Sequence, residues 1–197
     1  MIDRPSTGSE QAAKAACLAD PVPAHPLLDG LAEIGRGESS IVLAAGDDER
    51  VFKVVSSPAD YFYLAADDRP TGIHFPRLFA DHGVVGKASN GYSFRLLEIE
   101  RLLPLAGNAA ELGRILVKTY WEGCEKWANM GVNRGRLALY HIAQDPPPGL
   151  PASLVQAVSA LSDFIEEYPV QPDLLNPGNL MMRRDGTLVL SDPIFLP

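Results

Sequence analysis

The chain has 197 residues, 46% of them apolar and 21% charged, and its 17 basic and 25 acidic side chains leave a formal charge of −8. That is enough apolar material to bury a core in one domain or two small lobes, and with no Lys/Arg cluster or basic stripe it excludes a footprint for nucleic acid. Cys17 and Cys124 stand far apart in unlike contexts, which excludes a disulfide framework and a zinc pattern and fits a reducing, cytoplasmic setting. No apolar run approaches the ~20 residues needed to cross a bilayer and no apolar signal region opens the chain, so neither a membrane partner nor Sec-type export is expected.

Residues 1–26 mix small polar residues with Pro21, Pro23 and Pro26, and only 12–19 read as a short helix, which predicts a flexible N-terminal arm. Such an arm is either an ordinary frayed terminus or the leader of an injected effector. From Leu31 the pattern turns strand-like, with runs over 31–34, 40–45 and 50–55 predicting a three-stranded antiparallel meander. Pro58 is placed to open a helix over 59–66, and two further strands are expected over 75–79 and 91–99, around a turn at Ser89, Asn90 and Gly91. These five strands and one helix make a first lobe, 27–103.

After Pro104 the period lengthens. Leu112, Ile115, Leu116, Tyr120, Cys124 and Trp127 recur at spacings of three and four and predict a helix over 109–130; Leu154, Val158, Leu161 and Ile165 predict another over 152–168. Between them Gln144-Asp-Pro-Pro-Pro-Gly149 reads as a stiff loop. A tight hairpin then joins 180–183 to 188–190 through Asp185-Gly186, completing a helical second lobe, 104–197. The fold class expected is α+β.

The chemistry concentrates in three places. Asp173-Leu-Leu-Asn-Pro-Gly-Asn179 and Ser191-Asp192 put oxygen ligands on both sides of the short apolar hairpin, and an amide with a carboxylate suits Mg²⁺. Gly35-Arg-Gly37-Glu-Ser-Ser40 offers bare backbone where a ligand would approach closely. Lys53 interrupts the apolar run Val51-Phe-Lys-Val-Val55, where a half-buried strand does not place a charge without a partner. Each has a plain structural reading as well: a hairpin turn, an edge lysine pointing to water, an Asn-Pro-Gly turn. The order and spacing of the set carry the inference. The four histidines, 25, 74, 82 and 141, form no ligand spacing and read as structural.

In that order the elements resemble the protein-kinase-like superfamily, in the reduced form of small bacterial, phage and secreted-effector kinases, over roughly 31–194. The resemblance implies a two-lobed fold with an antiparallel-sheet N-lobe and a reduced helical C-lobe ending just after the metal-binding Asp. It implies that Gly35, Gly37, Ser40 and Val42 belong to the loop covering the ATP phosphates, with Ser40 where a third glycine is usual. Lys53 matches the phosphate-binding lysine, backbone near Glu100 and Leu102 the adenine-binding hinge, and Leu31, Val42, Leu97 and Leu102 the apolar walls. Asp173 matches the catalytic-loop base, and Asn179 and Asp192 the Mg²⁺ ligands; their separation, 192 minus 179 or 13, equals the family's usual spacing.

Four departures accompany the match. Asp173 to Asn179 is one residue longer than usual; Asp192 is followed by Pro-Ile; the helix after Lys53 offers only Asp60, Asp67 and Asp68 where the family has a Glu; and the chain runs five residues past Asp192, without an activation segment. The expectation is an ATP- and Mg²⁺-dependent phosphotransferase acting on a protein Ser/Thr hydroxyl, in the cytoplasm or, for an injected effector, in that of a host cell. The rival from another class is a pseudokinase, a nucleotide- or partner-binding module without transfer, and a third alternative is nucleotidyl transfer on the same scaffold.

Overall fold

A computed structural model describes residues 20–197, so the predicted helix over 12–19 and most of the arm lie outside the described residues. These residues form a mixed α+β protein with an antiparallel sheet and four α-helices. They divide into two compact units: 20–61 with Leu78–Glu100, and Phe62–Arg77 with Arg101–Pro197.

The first unit is a five-stranded sheet in the order β1-β2-β3-β5-β4, formed by β1 Glu33–Arg36, β2 Ser40–Ala44, β3 Arg50–Val55, β4 Leu78–Lys87 and β5 Ser93–Glu100. Because side chains alternate across a strand, β2, β3 and β5 send Ile41, Leu43, Val54, Phe94 and Leu96 into one core, which Leu28 and Ala88 complete and Val22 and Leu31 pack against. Each such side chain, fully buried, contributes about 1.5–3 kcal/mol. Leu31 therefore sits with Ile41 and Val54 instead of lining a ring pocket with Val42 and Leu97, because β1 starts at Glu33 and leaves it ahead of the strand. From Asp20 onward the segment is tied down: the Asp20 carbonyl accepts from Arg36 Nη1 at 2.7 Å and its Oδ2 from the Ser89 amide at 3.0 Å.

The strand expected over 75–79 is displaced. A turn closes at Phe75, whose amide donates to the Gly72 carbonyl at 3.2 Å, and β4 begins at Leu78 and continues to Lys87. At Asp81-His-Gly83 the backbone turns locally, with Gly83 at φ +78° and Asp81 Oδ1 accepting from its amide at 2.8 Å. Here that local turn is a bulge within a strand, marked by a register shift between Asp81 and Val84.

The helix α1, Pro58–Ala65, opens on proline, whose missing N–H costs nothing at that position, and carries Asp60 in its first turn. Its residues through Tyr61 belong to the first unit, where Tyr61 donates to Asp81 Oδ2 at 2.9 Å beneath the Arg95 guanidinium, 4.0 Å from its ring.

The second unit contains α2 Gly107–Lys126, α3 Arg134–Gln144 and α4 Ala152–Glu167, a three-stranded sheet ordered β6-β8-β9 (Leu103–Pro104, Leu180–Met182, Leu188–Leu190), and the two-residue strands β7 Gln171–Pro172 and β10 Ile194–Phe195, paired with each other. The helix α3 is absent from the sequence reading, which ran one helix to 130. A 3₁₀ segment, Ala128–Asn133, follows α2 instead, with Gly131 at φ +59°, and α3 starts with a glycine in its first turn, a poor helix former. That glycine and its neighbours are what packing requires. A Cβ on Gly123 would stand 2.7 Å from that of Ala138, so the close approach of α2 and α3 fixes these small residues. Segment 73–75 lies along β9: the Leu190 amide donates to the His74 carbonyl at 2.9 Å, His74 Nδ1 donates to the Leu188 carbonyl at 2.7 Å, and buried Arg183 donates to the carbonyls of Ile73 and Phe75.

Candidate functional site

The second unit brings together Asp173, Asn179 and Asp192. Asp173 follows β7 directly and Pro193 precedes β10, so pairing of those strands brings the two acids near each other: Ile194 opposes Pro172, and the Asp173 amide donates to the Pro193 carbonyl at 2.7 Å. Asn179 sits at the end of a 3₁₀ turn, Pro177–Asn179, that Asn176 caps by accepting from the Gly178 amide at 3.1 Å. Asn179 is buried, and its Nδ2 donates to the Asp173 carbonyl at 2.8 Å and to Asp173 Oδ2 at 3.0 Å. Its own carbonyl accepts from the amides of Ser191 at 2.8 Å and Asp192 at 3.3 Å, so one asparagine is bonded to both acidic segments.

That arrangement fits a hard divalent cation by its donor chemistry. With Nδ2 committed to Asp173, the planar amide turns its Oδ1 the other way, and Asp192 adds a carboxylate. Asp192 has partners of its own, and its Oδ1 is a buried oxygen that accepts no hydrogen bond from the described residues. No group of three or more His, Cys, Asp or Glu side chains converges among the described residues, so any cation here would rely on the Asn179 amide and the Asp192 carboxylate together with ligands from outside the chain. Tyr63 donates to the Leu190 carbonyl two residues before Asp192, and burial first, then the Asp192 charge, holds its phenol well above the ordinary range.

Three residues that the sequence reading did not connect with the site support the Asp173 segment. Tyr120 on α2, buried, donates its hydroxyl to the Pro172 carbonyl at 2.9 Å. Gly135 on α3 leaves room for it, since a Cβ there would stand 2.6 Å from Tyr120 Oη and 3.2 Å from Pro172 Cγ. Arg136, the next residue, donates through Nη2 to the carbonyls of Tyr168 at 3.0 Å and Val170 at 2.6 Å. With its amide oriented to satisfy both ends, Gln171 accepts from Arg136 Nε at 3.2 Å and donates to the Val132 carbonyl at 2.9 Å. The strand leading to Asp173 is thus held from α2 and α3. The only sequence trace of this is the glycine of Arg-Gly-Arg, which marks a close approach without naming the partner.

In the first unit, one rung crosses all five strands: Gly35 opposes Val42, Val42 opposes Lys53, Lys53 opposes Leu97 and Leu97 opposes Asp81. Lys53 is 5% exposed, which rules out the edge-lysine reading, and directly opposed residues share a face, so Val42 and Leu97 flank it on that face. Of the three acids offered for it, Asp60 alone is buried, at 3% exposure; Asp67 and Asp68 are exposed, and Asp68 accepts from the Tyr168 hydroxyl at 2.7 Å.

The turn 35–40 is closed by the Gly37 amide donating to the Ser40 carbonyl at 2.8 Å. Gly35 and Gly37 are not among the positive-φ glycines, and a Cβ on either would meet nothing closer than 3.6 Å. The fold itself therefore has no need of glycine at these two positions. Glu100 closes β5, buried, opposite Arg50, and Leu102 lies half-buried between β5 and β6; each stays with its own unit. The chain matches no protein-family model and no curated protein. No helix among the described residues is long and apolar enough to cross a membrane.

Proposed function

We propose that this chain is an ATP- and Mg²⁺-dependent phosphotransferase of protein-kinase-like fold that modifies a Ser/Thr hydroxyl of a protein. The observation that carries the reading is the hydrogen-bonded grouping of Asp173, Asn179 and Asp192, a base candidate and two oxygen ligands separated by 6 and 13 residues in sequence. A buried lysine on the central strand of the other unit, and two glycines the fold does not require, supply what phosphate binding asks of a second set of residues.

In this reading Gly35 and Gly37 present backbone amides to the phosphates, and Lys53 holds the α and β phosphates with Asp60 as its counter-charge. Val42 and Leu97 line the base, and backbone at Glu100 and Leu102 bonds its edge. Asn179 and Asp192 would hold Mg²⁺, which when bound neutralises phosphate charge and fixes its geometry. Asp173 accepts the proton of the attacking hydroxyl and orients it; its half-buried position keeps it reachable by a macromolecular substrate. A helical portion of three α-helices leaves little room for an enclosed small-molecule acceptor site, which favours a protein acceptor.

One observation favours a second reading, a binding module without transfer: Asn179 already occupies Oδ2 of the Asp173 carboxylate. Intact-mass analysis after incubation with ATP and Mg²⁺, alone and with a generic protein substrate, decides between them. A gain of phosphate that Asp192→Ala abolishes is the expected result, and a gain of AMP would mean nucleotidyl transfer. A rise in Tm with ATP but no mass gain would leave the binding module; neither effect would refute nucleotide chemistry altogether.

A further inference from the structure

The Gly-rich turn is not a free flap in this protein. Ser39 Oγ donates to Asp60 Oδ2 at 2.6 Å, a short bond to a carboxylate that is almost fully buried in the first turn of α1. The backbone of the same serine is held separately, its carbonyl accepting from the Ser56 amide at 2.8 Å and the Ser56 hydroxyl at 3.1 Å. Beyond it, Gly37 and Glu38 at the tip are exposed.

We infer that Ser39 is a positioning residue for the proposed reaction: its hydroxyl latches the 35–40 turn to Asp60, so that the bare backbone at Gly35 and Gly37 is already ordered when phosphate arrives. The inference rests on the phosphotransferase reading for its ligand, and on the geometry alone for the latch. A turn with two glycines is costly to order, because glycine loses more backbone freedom than any other residue. If the ordering is done on binding, it is subtracted from affinity; a turn ordered beforehand avoids that loss. The two strands the turn connects are fixed by their ladder, but the β2–β3 ladder stops at Ser40 opposite Val55, and beyond that pair Ser39 supplies the bonds that reach Ser56, just past β3, and Asp60 on α1. The latch also ties the turn to Asp60, the acid we assign to Lys53, so phosphate-binding backbone and phosphate-binding charge are referred to one carboxylate.

The test uses the full chain with Ser39→Ala, which removes the hydroxyl bond and keeps both backbone bonds, and Ser39→Thr, which restores a hydroxyl. Amide hydrogen exchange without nucleotide reads the latch, and KM for ATP against kcat reads its use. In Ser39→Ala, exchange at residues 37–40 is expected to rise about tenfold with β5 amides unchanged, and KM for ATP to rise by a similar factor with kcat held within about twofold. Ser39→Thr is expected to return both toward wild type. Unchanged exchange at the turn in Ser39→Ala overturns the latch, and a faster exchange with an unchanged KM overturns its positioning role. A wild-type chain without any ATP effect overturns the phosphotransferase reading and the positioning role with it, while the exchange data still decide the latch.

Discussion

Asn179 binds the acid six residues before it twice, donating one side-chain amide nitrogen to the carbonyl of Asp173 at 2.8 Å and to its carboxylate at 3.0 Å. The bond to the carbonyl fixes the backbone of the 173–179 loop, and the bond to the carboxylate fixes the rotamer. The loop ends in a 3₁₀ turn, Pro177–Asn179, and closes on its acid through these two bonds.

The two members of that pair have separable effects. Asp173→Asn is expected to lower kcat by about 10²–10⁴-fold, the usual size of a general base, while ATP still raises Tm. Asn179→Ala is expected to lower transfer and, in addition, to reduce the Mg²⁺-dependent part of the ATP-induced rise in Tm. Equal turnover in Asp173→Asn and wild type would remove Asp173 from the chemistry.

Gly35 and Gly37 distinguish a phosphate-covering turn from a plain hairpin. Alanine fits at both without clash and without positive φ, so stability is expected to stay level or rise by about 0.4–1 kcal/mol as the unfolded chain loses freedom. On the proposed reading nucleotide binding is expected to weaken, because the methyl group would stand where the turn's backbone meets phosphate. Thermal melts with and without ATP·Mg²⁺ measure both effects; an undiminished ATP shift in both alanine variants would mean that the turn is structural.

Gly135 and Tyr120 are expected to be coupled. Gly135→Ala drives a methyl group against Tyr120 Oη and should cost about 1–3 kcal/mol, the range for overpacking. Tyr120→Phe leaves the Pro172 carbonyl without its donor and should cost a similar amount, about 1–3 kcal/mol. Since phenylalanine lacks the atom that the new methyl group strikes, Gly135→Ala should cost less in the Tyr120→Phe background. Urea unfolding of the four chains gives the coupling directly, and strict additivity would show that the two sites do not share this contact.

Alkaline pH should destabilise the second unit. Burial first raises the Cys124 thiol above its ordinary 9.0, burial and then Cys124 and Asp173 raise Tyr120, and burial and then Asp192 raise Tyr63 above the ordinary 10.0. With the folded value above the unfolded one, the unfolded chain loses these protons first, so the contribution of these three groups is level below pH 9 and falls as pH rises through 9 and 10. Tyr63→Phe and Cys124→Ser should each flatten part of that fall in a pH series of unfolding midpoints. A slope unchanged in both variants would assign the fall to other groups.

The helices α2 and α4, the strands β2, β3 and β5 and the β8–β9 hairpin were legible in sequence because each carries its own period or its own turn residues. Gly83 and Gly131 show where that fails. Both have positive φ, yet one is a bulge that lets β4 continue and the other a break that separates α2 from α3. A glycine declares backbone freedom, and only the neighbours it packs against decide whether the chain turns, bends or ends.

By itself the sequence determined the strands β2, β3 and β5, the helices α2 and α4, the β8–β9 hairpin, the candidates Asp173, Asn179, Asp192 and Lys53, and the spacings between those candidates, since these depend on residue type and on periods of two or about four. The tertiary structure decided what no local pattern contains. It took Leu31 to the other face of the sheet from Val42, buried Asp60 in preference to Asp67 and Asp68, packed α3 closely on α2 at Gly123 and Gly135, and set Tyr120, Gly135 and Arg136 behind Asp173. Those choices rest on contacts between residues far apart in the chain, where packing and the need to pair every buried polar group outweigh local propensity.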